Sequence, residues 1–335
     1  MSTSTYTFSQ STLQPFPTAA IWQRLVNTNR FLALNLFVYI GLLLFTIGAT
    51  FVDARLVTGA PVWIKPMKFA ISSILYAGTL LWMLSFVKSK PRLVHLIAIL
   101  TAMAFLVELS GISLQAFRGV RSHFNVTTAF DATIFSLMGT FVLVIWVMNL
   151  LAAILLMMEP LKDRAFAWSL RLALIITVIG GGLGALMTSG PTPSQLEALQ
   201  AGAPLTYVGA HSVGVEDGGA GLPFTNWSTE GGDLRIGHFV GLHGLQVIPL
   251  LGIFIRRRWG KRLSMTRQTA LIWIGSAGYL GLTLLLTWQA LRGQPLIAPD
   301  MLTLAALVWL VGTVASGFWL VQRKSLSEAA LRTAL

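Results

Sequence analysis

The chain has 335 residues, of which 55% are hydrophobic and 11% charged, with no cysteine and a formal net charge of +12. A soluble domain carries about a quarter charged residues, so composition excludes a water-soluble globule. The missing thiols exclude disulfides, thiol catalysis and Cys-ligated clusters.

The first 30 residues are polar and rich in Ser and Thr, without the basic n-region, short apolar core and cleavage site of a secretory signal. A bilayer span takes about 20 mostly apolar residues. Eight runs reach that length: 31–52, 67–87, 93–115, 128–157, 168–190, 235–255, 268–290 and 300–322. The predicted fold class is all-α, a polytopic membrane protein with a long cap loop on its outer side. Its parts are a polar inner tail at 1–30, a first four-helix half at 31–157 and a fifth helix with its link at 158–190. The Gly- and Pro-rich cap at 191–234, helices six to eight at 235–322 and an inner tail at 323–335 complete it.

The links between spans alternate in charge. With both termini inside, the inner segments hold Arg24, Arg30, Lys88, Lys90, Arg92, Lys162, Arg164, Arg171, Arg256, Arg257, Arg258, Lys261, Arg262, Arg267, Arg323, Lys324 and Arg332, which is 17 of the 24 basic residues. This is the positive-inside bias, and it places the chain in the bacterial inner membrane with cytoplasmic termini. The run Arg256–Arg262 then reads as a topology anchor on anionic lipid. Membrane lipids are the expected partners, a small-molecule or lipid substrate fits, and nucleic acid is not expected.

A short motif recurs. Leu114-Gln115-Ala116-Phe117-Arg118-Gly119 closes the third span and Trp288-Gln289-Ala290-Leu291-Arg292-Gly293 the seventh, each followed by an Asp (Asp131, Asp300) and another apolar run. The spacing fits two four-span halves in parallel orientation; coincidence over six residues is the alternative. The glycines inside spans lack the strand and the Lys of a phosphate loop and read as close helix packing.

Polar side chains with chemistry collect on the outer side. Glu108 lies within the third span, where an unpaired charge costs several kcal/mol and marks function. It reads as a proton acceptor, a metal ligand or the partner of Arg118 or Lys68. Asp131 opens the fourth span as a second acid–base candidate. His123, His211, His238 and His243 are candidate metal or haem ligands, since neutral imidazole ligates both. His238 and His243 are five apart and point about 140° apart on a regular helix, so both reach one metal only through a distorted turn. His95, at the inner end of the third span, reads as interfacial. Arg55, Lys65, Lys68, Arg118, Arg121 and Arg235 form a basic rim suited to haem propionates, a lipid headgroup or an anionic solute. The cap adds Glu216, Asp217 and Asp233; Asp233 suits a helix cap, and Glu216-Asp217-Gly218-Gly219 lacks EF-hand spacing and reads as a turn.

The chain loosely resembles multi-pass bacterial membrane proteins that carry no assigned activity. His123, Asp131, His238 and His243 resemble the ligand set of seven-span zinc hydrolases of the ceramidase and progestin-receptor type. The late pair is spaced five apart instead of four, and Arg-Ser-His stands at 121–123 in place of Ser-x-x-x-His. That resemblance implies a zinc-dependent lipid hydrolase. The residues themselves point first to haem or a divalent metal serving redox or metal-dependent chemistry, with transport of an anionic or amphipathic solute as the alternative.

Overall fold

A computed structural model describes residues 18–333, with side chains through Arg323; the rest of the N-terminal tail and the side chains of Lys324 and Arg332 lie outside the described residues. After a short α1 (Thr18–Thr28) come α2 (Arg30–Val52), α3 (Ile64–Leu84), α4 (Pro91–Arg118), α5 (Ala129–Met158) and α6 (Arg164–Leu183). The short α7 (Pro193–Gln200) precedes α8 (Leu234–Trp259), α9 (Met265–Leu291) and α10 (Met301–Thr333). Eight of these, α2 to α6 and α8 to α10, are long and apolar enough to cross a membrane. The chain is an all-α integral membrane protein.

The ends differ from expectation where local chemistry decides them. α3 starts three residues early, at Ile64, because Pro66 falls in its first turn, where a missing N–H removes no helical bond. α6 ends early, at Leu183, and tightens into a 3-10 turn over Gly184–Thr188. The N-terminal tail is not all irregular. α1 carries Leu25 into the core, with Trp22 packed against the same cluster, and Asn29 caps α2 by accepting from Leu32 N–H.

The two copies of the recurring motif do the same local work. Gly119 (φ 72°) and Gly293 (φ 71°) each turn the chain in the left-handed region just after a helix, which glycine adopts without a Cβ clash. Arg118 then pairs with Asp131, and Arg292 with Asp300. Each Arg ties the end of one span to the start of the next.

Packing divides the spans into two neighbourhoods. α2, α3, α4 and α5 pack in sequence; α6, α8 and α9 pack mutually, and α10 packs principally on α9. α5 with α6, and α3 with α8, join the two. The α6–α8 contact is the most extensive, with Gly180 facing Gly241 backbone to backbone. The segment 184–233 folds over one end as a cap. Thr192 and Gln195 form a capping box on α7, and β3 (Ser212–Val213) pairs antiparallel with β4 (Gly232–Asp233). The cap is stitched to the α4–α5 link by Val126 N–H to Thr206 O and Val208 N–H to Phe124 O. It also meets the β1–β2 hairpin (Leu56–Val57, Ala60–Pro61) of the α2–α3 link, where Asn226 Nδ2 donates to Thr58 O.

Candidate functional site

Beneath the cap, α3, α4, α5, α6 and α8 enclose a chamber of about 1380 Å³. It runs down α5 from Phe135 to Asn149, about 21 Å at the helical rise of 1.5 Å per residue. Its upper part is polar and its walls are apolar. Its floor is reached at Tyr76, Asn149, Thr177 and Gln246. Farther along the same helices the core closes with Leu80, Leu84, Leu156, Leu170, Ile248 and Ile255, each no more than 1% exposed. The chamber therefore reaches up to the cap and is plugged by hydrocarbon at its other end.

All four candidate histidines line this chamber, as do Glu108, Lys65, Lys68, Arg121, Arg235, Glu216 and Asp217. Asp131, Arg118, Arg55 and Asp233 do not. Asp131 is buried and accepts bonds from Arg118, Gln115 and Thr128. Arg55 pairs with Asp53 on the surface, and Trp63 Nε1 donates to the same carboxylate. Asp53 is held well below the usual carboxylate range, first by its bond from the Arg55 side chain. Asp233 is fully buried, caps α8 and grips Arg235, whose guanidinium also donates to Asn226 O at 2.6 Å.

Each chamber histidine has a separate anchor. His211 Nδ1 lies 2.8 Å from Asp217 Oδ2, and His238 Nδ1 lies 2.8 Å from Gly180 O. His243 Nδ1 meets Gln246 Oε1 at 3.3 Å, and Gln246 in turn bridges to Leu75 O and Thr79 on α3. His95 sits elsewhere, on Asn29 at the opposite end. Burial drives His211 down to about 4, outweighing its bond to Asp217. Among the described residues, no three His, Asp or Glu side chains gather closely enough to hold one metal ion. The zinc set implied by the resemblance is thus not assembled, and Asp131 is committed to Arg118.

The densest chemistry surrounds His123. Its Nε2 lies 3.4 Å from Glu108 Oε1, and its Nδ1 lies 3.2 Å from Lys65 Nζ and 3.1 Å from Ser122 Oγ. With Nδ1 accepting from these donors, the proton of the neutral ring sits on Nε2 and faces Glu108. Burial, then the Lys65 charge, lowers the His123 pKa against the pull of Glu108, so the ring is neutral at neutral pH. Glu108 is 2% exposed and neither of its oxygens has a full hydrogen bond, a costly arrangement for a buried carboxylate.

Three chamber cations also lack an acidic partner. Lys68 Nζ donates to Thr225 O at 2.8 Å, and Arg121 stacks on Tyr207 and donates to Asp217 O. Lys65 meets His123. Among the described residues none of the three has a carboxylate within ion-pair distance. Lys65 also sits in the first turn of α3, whose N-cap Trp63 supplies no side-chain bond, and Lys68 one turn farther in. A cation in the first turn opposes the helix dipole, at about 0.3–1 kcal/mol.

The charged residues of the site stand out in the sequence, but Ser122, Tyr76, Asn149, Thr177 and Gln246 do not. The adjacent Ser122-His123 pair is the available signal for the first; for the others, a polar side chain inside an apolar run is the only one. No protein-family model, curated protein or solved structure matches the chain.

Proposed function

We propose that this membrane protein binds an amphipathic molecule with an anionic head, the head under the cap and the apolar part along the chamber. The observation that carries this reading is the set Lys65, Lys68 and Arg121, three chamber cations facing only neutral partners above apolar walls. Cations without counter-charges, one of them in the first turn of a helix, suit an incoming anion. The apolar plug below Asn149 favours a binding or reaction chamber over a continuous path for a solute. The positive-inside bias of the links supports a cap on the outer face of a bacterial inner membrane.

The test uses purified full-length protein in detergent micelles. Phosphatidylglycerol should raise its melting temperature more than phosphatidylcholine of the same chains, and Lys68→Gln with Arg121→Gln should abolish the difference. Equal stabilisation by both lipids in the unaltered protein would refute the reading.

A haem or metal reading has one observation in its favour. His211 and His238 each anchor Nδ1 on an acceptor, leaving Nε2 free, as in the carboxylate- or carbonyl-backed imidazoles that ligate metals. A haem needs only axial ligands and so does not require three gathered side chains. A Soret band that shifts on reduction would support it; a featureless spectrum would remove haem.

A further inference from the structure

We propose that Ser122, His123 and Glu108 form a nucleophile, base and positioning acid that cleave an ester bond of the amphipathic molecule in the chamber, a proposal that rests on the binding role given to that chamber. The three line one wall of it. Ser122 Oγ meets His123 Nδ1 at 3.1 Å, and the other ring nitrogen, Nε2, faces Glu108 Oε1 at 3.4 Å. That is the order of roles by which serine hydrolysis is recognised on unrelated folds: hydroxyl to imidazole, imidazole to carboxylate. Here Nδ1 takes the proton and Nε2–H is oriented by the acid.

Three further features suit the assignment. Glu108 is buried and otherwise without a full hydrogen bond, which a purely structural carboxylate has no reason to tolerate and which the Nε2–H of His123 partly relieves. Phe124, two residues after Ser122, adopts φ 64°. A bulky residue in that region is strained, and such strain clusters at active sites. The cap holds that backbone in place through Val208 N–H to Phe124 O and the Asn125–Tyr207 bridge. Last, the imidazole is fixed between rings, with Phe69 at 5.8 Å and Phe124 at 6.2 Å between centroids.

The chemistry closes without any oxidant or metal. Ser122 Oγ attacks the ester carbonyl carbon while its proton passes to His123 Nδ1. The carbon–oxygen bond to the alcohol then breaks, and that alkoxide takes the proton from Nδ1. Water, deprotonated by the same nitrogen, attacks the acyl-serine; the carbon–oxygen bond to Ser122 breaks, its oxygen recovers the proton from Nδ1, and a carboxylic acid leaves. Lys65 shares the Nδ1 lone pair with Ser122. An ester carbonyl that accepts the Lys65 ammonium would draw it off, freeing Nδ1 for Ser122 and placing positive charge beside the developing oxyanion.

The experiment needs no knowledge of the natural ester. Full-length protein in detergent is treated with a long-chain alkyl fluorophosphonate, which loses fluoride as an activated serine oxygen bonds to phosphorus, and the adduct is mapped by mass spectrometry. The expected result is one adduct, on Ser122, formed about 100-fold more slowly in His123→Gln, the size of effect a positioned base gives. Glu108→Gln should slow labelling and Glu108→Asp restore part of the rate, a rescue that a merely structural carboxylate would not show. No adduct on the unaltered protein, an adduct on another residue, or equal rates in His123→Gln would overturn the proposal. If phosphatidylglycerol still stabilises such unlabelled protein, the hydrolytic set alone falls; if it does not, the binding reading falls too.

Discussion

Gly180→Ala is the sharpest test of how the bundle is held. A Cβ at that position would collide with the Gly241 carbonyl carbon and lie 2.5 Å from its Cα and 2.7 Å from Leu242 N. Carbon pairs settle at about 3.5–4.0 Å, so α6 and α8 would have to separate by about 1 Å. Side chains give no relief, because all three neighbours are backbone. Nor can α8 retreat, since a Cβ on Gly237 would collide with Thr287 Oγ1 of α9, and one on Gly241 would meet Thr283 Cγ2 at 3.1 Å. Overpacking of a filled core costs about 1–3 kcal/mol, and a contact that only helix movement relieves belongs at the top of that range. About 3 kcal/mol is roughly a 150-fold fall in the ratio of folded to unfolded protein. Gly41→Ala is the control: its Cβ meets nothing within 4 Å, and alanine favours the helix by about 1 kcal/mol. Circular dichroism during titration from mild detergent into SDS should show Gly180→Ala unfolding well before the native chain and Gly41→Ala no earlier than it. Coincident curves for the two variants would refute the account of α6 against α8. Since Gly180 O also receives His238 Nδ1, the same variant should disturb that histidine.

The other expectations are briefer. Glu108→Gln should reduce activity, or fluorophosphonate labelling, more than it reduces expression; equal losses would return Glu108 to a structural role. Arg118→Gln should cost about 1–3 kcal/mol, the penalty of a buried Asp131 left short of a partner, as measured by SDS titration, with labelling of Ser122 unaffected. Arg292→Gln should cost less in the same titration, because Arg292 and Asp300 are both partly exposed to solvent. The cap should loosen in mild acid. His211 falls to about 4 when folded, below its ordinary 6.5, so the unfolded chain takes up the proton first, and stability present above about 6.5 is lost as pH falls toward about 4. Burial would raise Asp217, but the His211 ring and the His211 and Ser212 amides hold it below its ordinary range, so its loss comes only at lower pH. Limited proteolysis of the cap against pH should accelerate in that window for the native chain and not for His211→Gln.

The eight spans are legible in the sequence because a bilayer leaves a coarse signature: about 20 apolar residues cannot hide in a chain that is 11% charged. Their ends are less so. Pro66 stands just before the apolar run at 67–87 and is a first-turn residue of α3, while the α6 terminus depends on how Gly184–Thr188 tightens under the cap. The site shows the same division. Lys65, Lys68, Glu108 and the four histidines stand out as charge or imidazole near a membrane face. Which of them meet is hidden, because Lys65, Glu108 and His123 lie far apart in the chain and their contact is set by helix rotation and cap folding. Arg118 and Asp131 carry the same residue types as the chamber set, yet point into a closed bond network. Ser122 escapes notice because a serine in a polar link is ordinary until its oxygen is found on a ring nitrogen.

The cap and the chamber depend on each other through this arrangement. His123 and Ser122 sit on the α4–α5 link, not on a span, and that link is held by cap hydrogen bonds at Phe124 and Val126. Glu108 and Lys65, by contrast, belong to the helices α4 and α3. The contacts at His123 therefore join a layer fixed by the bundle to one fixed by the cap. Gln195→Ala loosens the cap away from His123 by removing both bonds to Gly209. It should slow fluorophosphonate labelling of Ser122 while leaving unfolding of the spans in SDS nearly unchanged. If labelling held its rate while the cap became sensitive to protease, the α4–α5 link would be shown to hold Ser122 and His123 by itself, and the site would not depend on the cap.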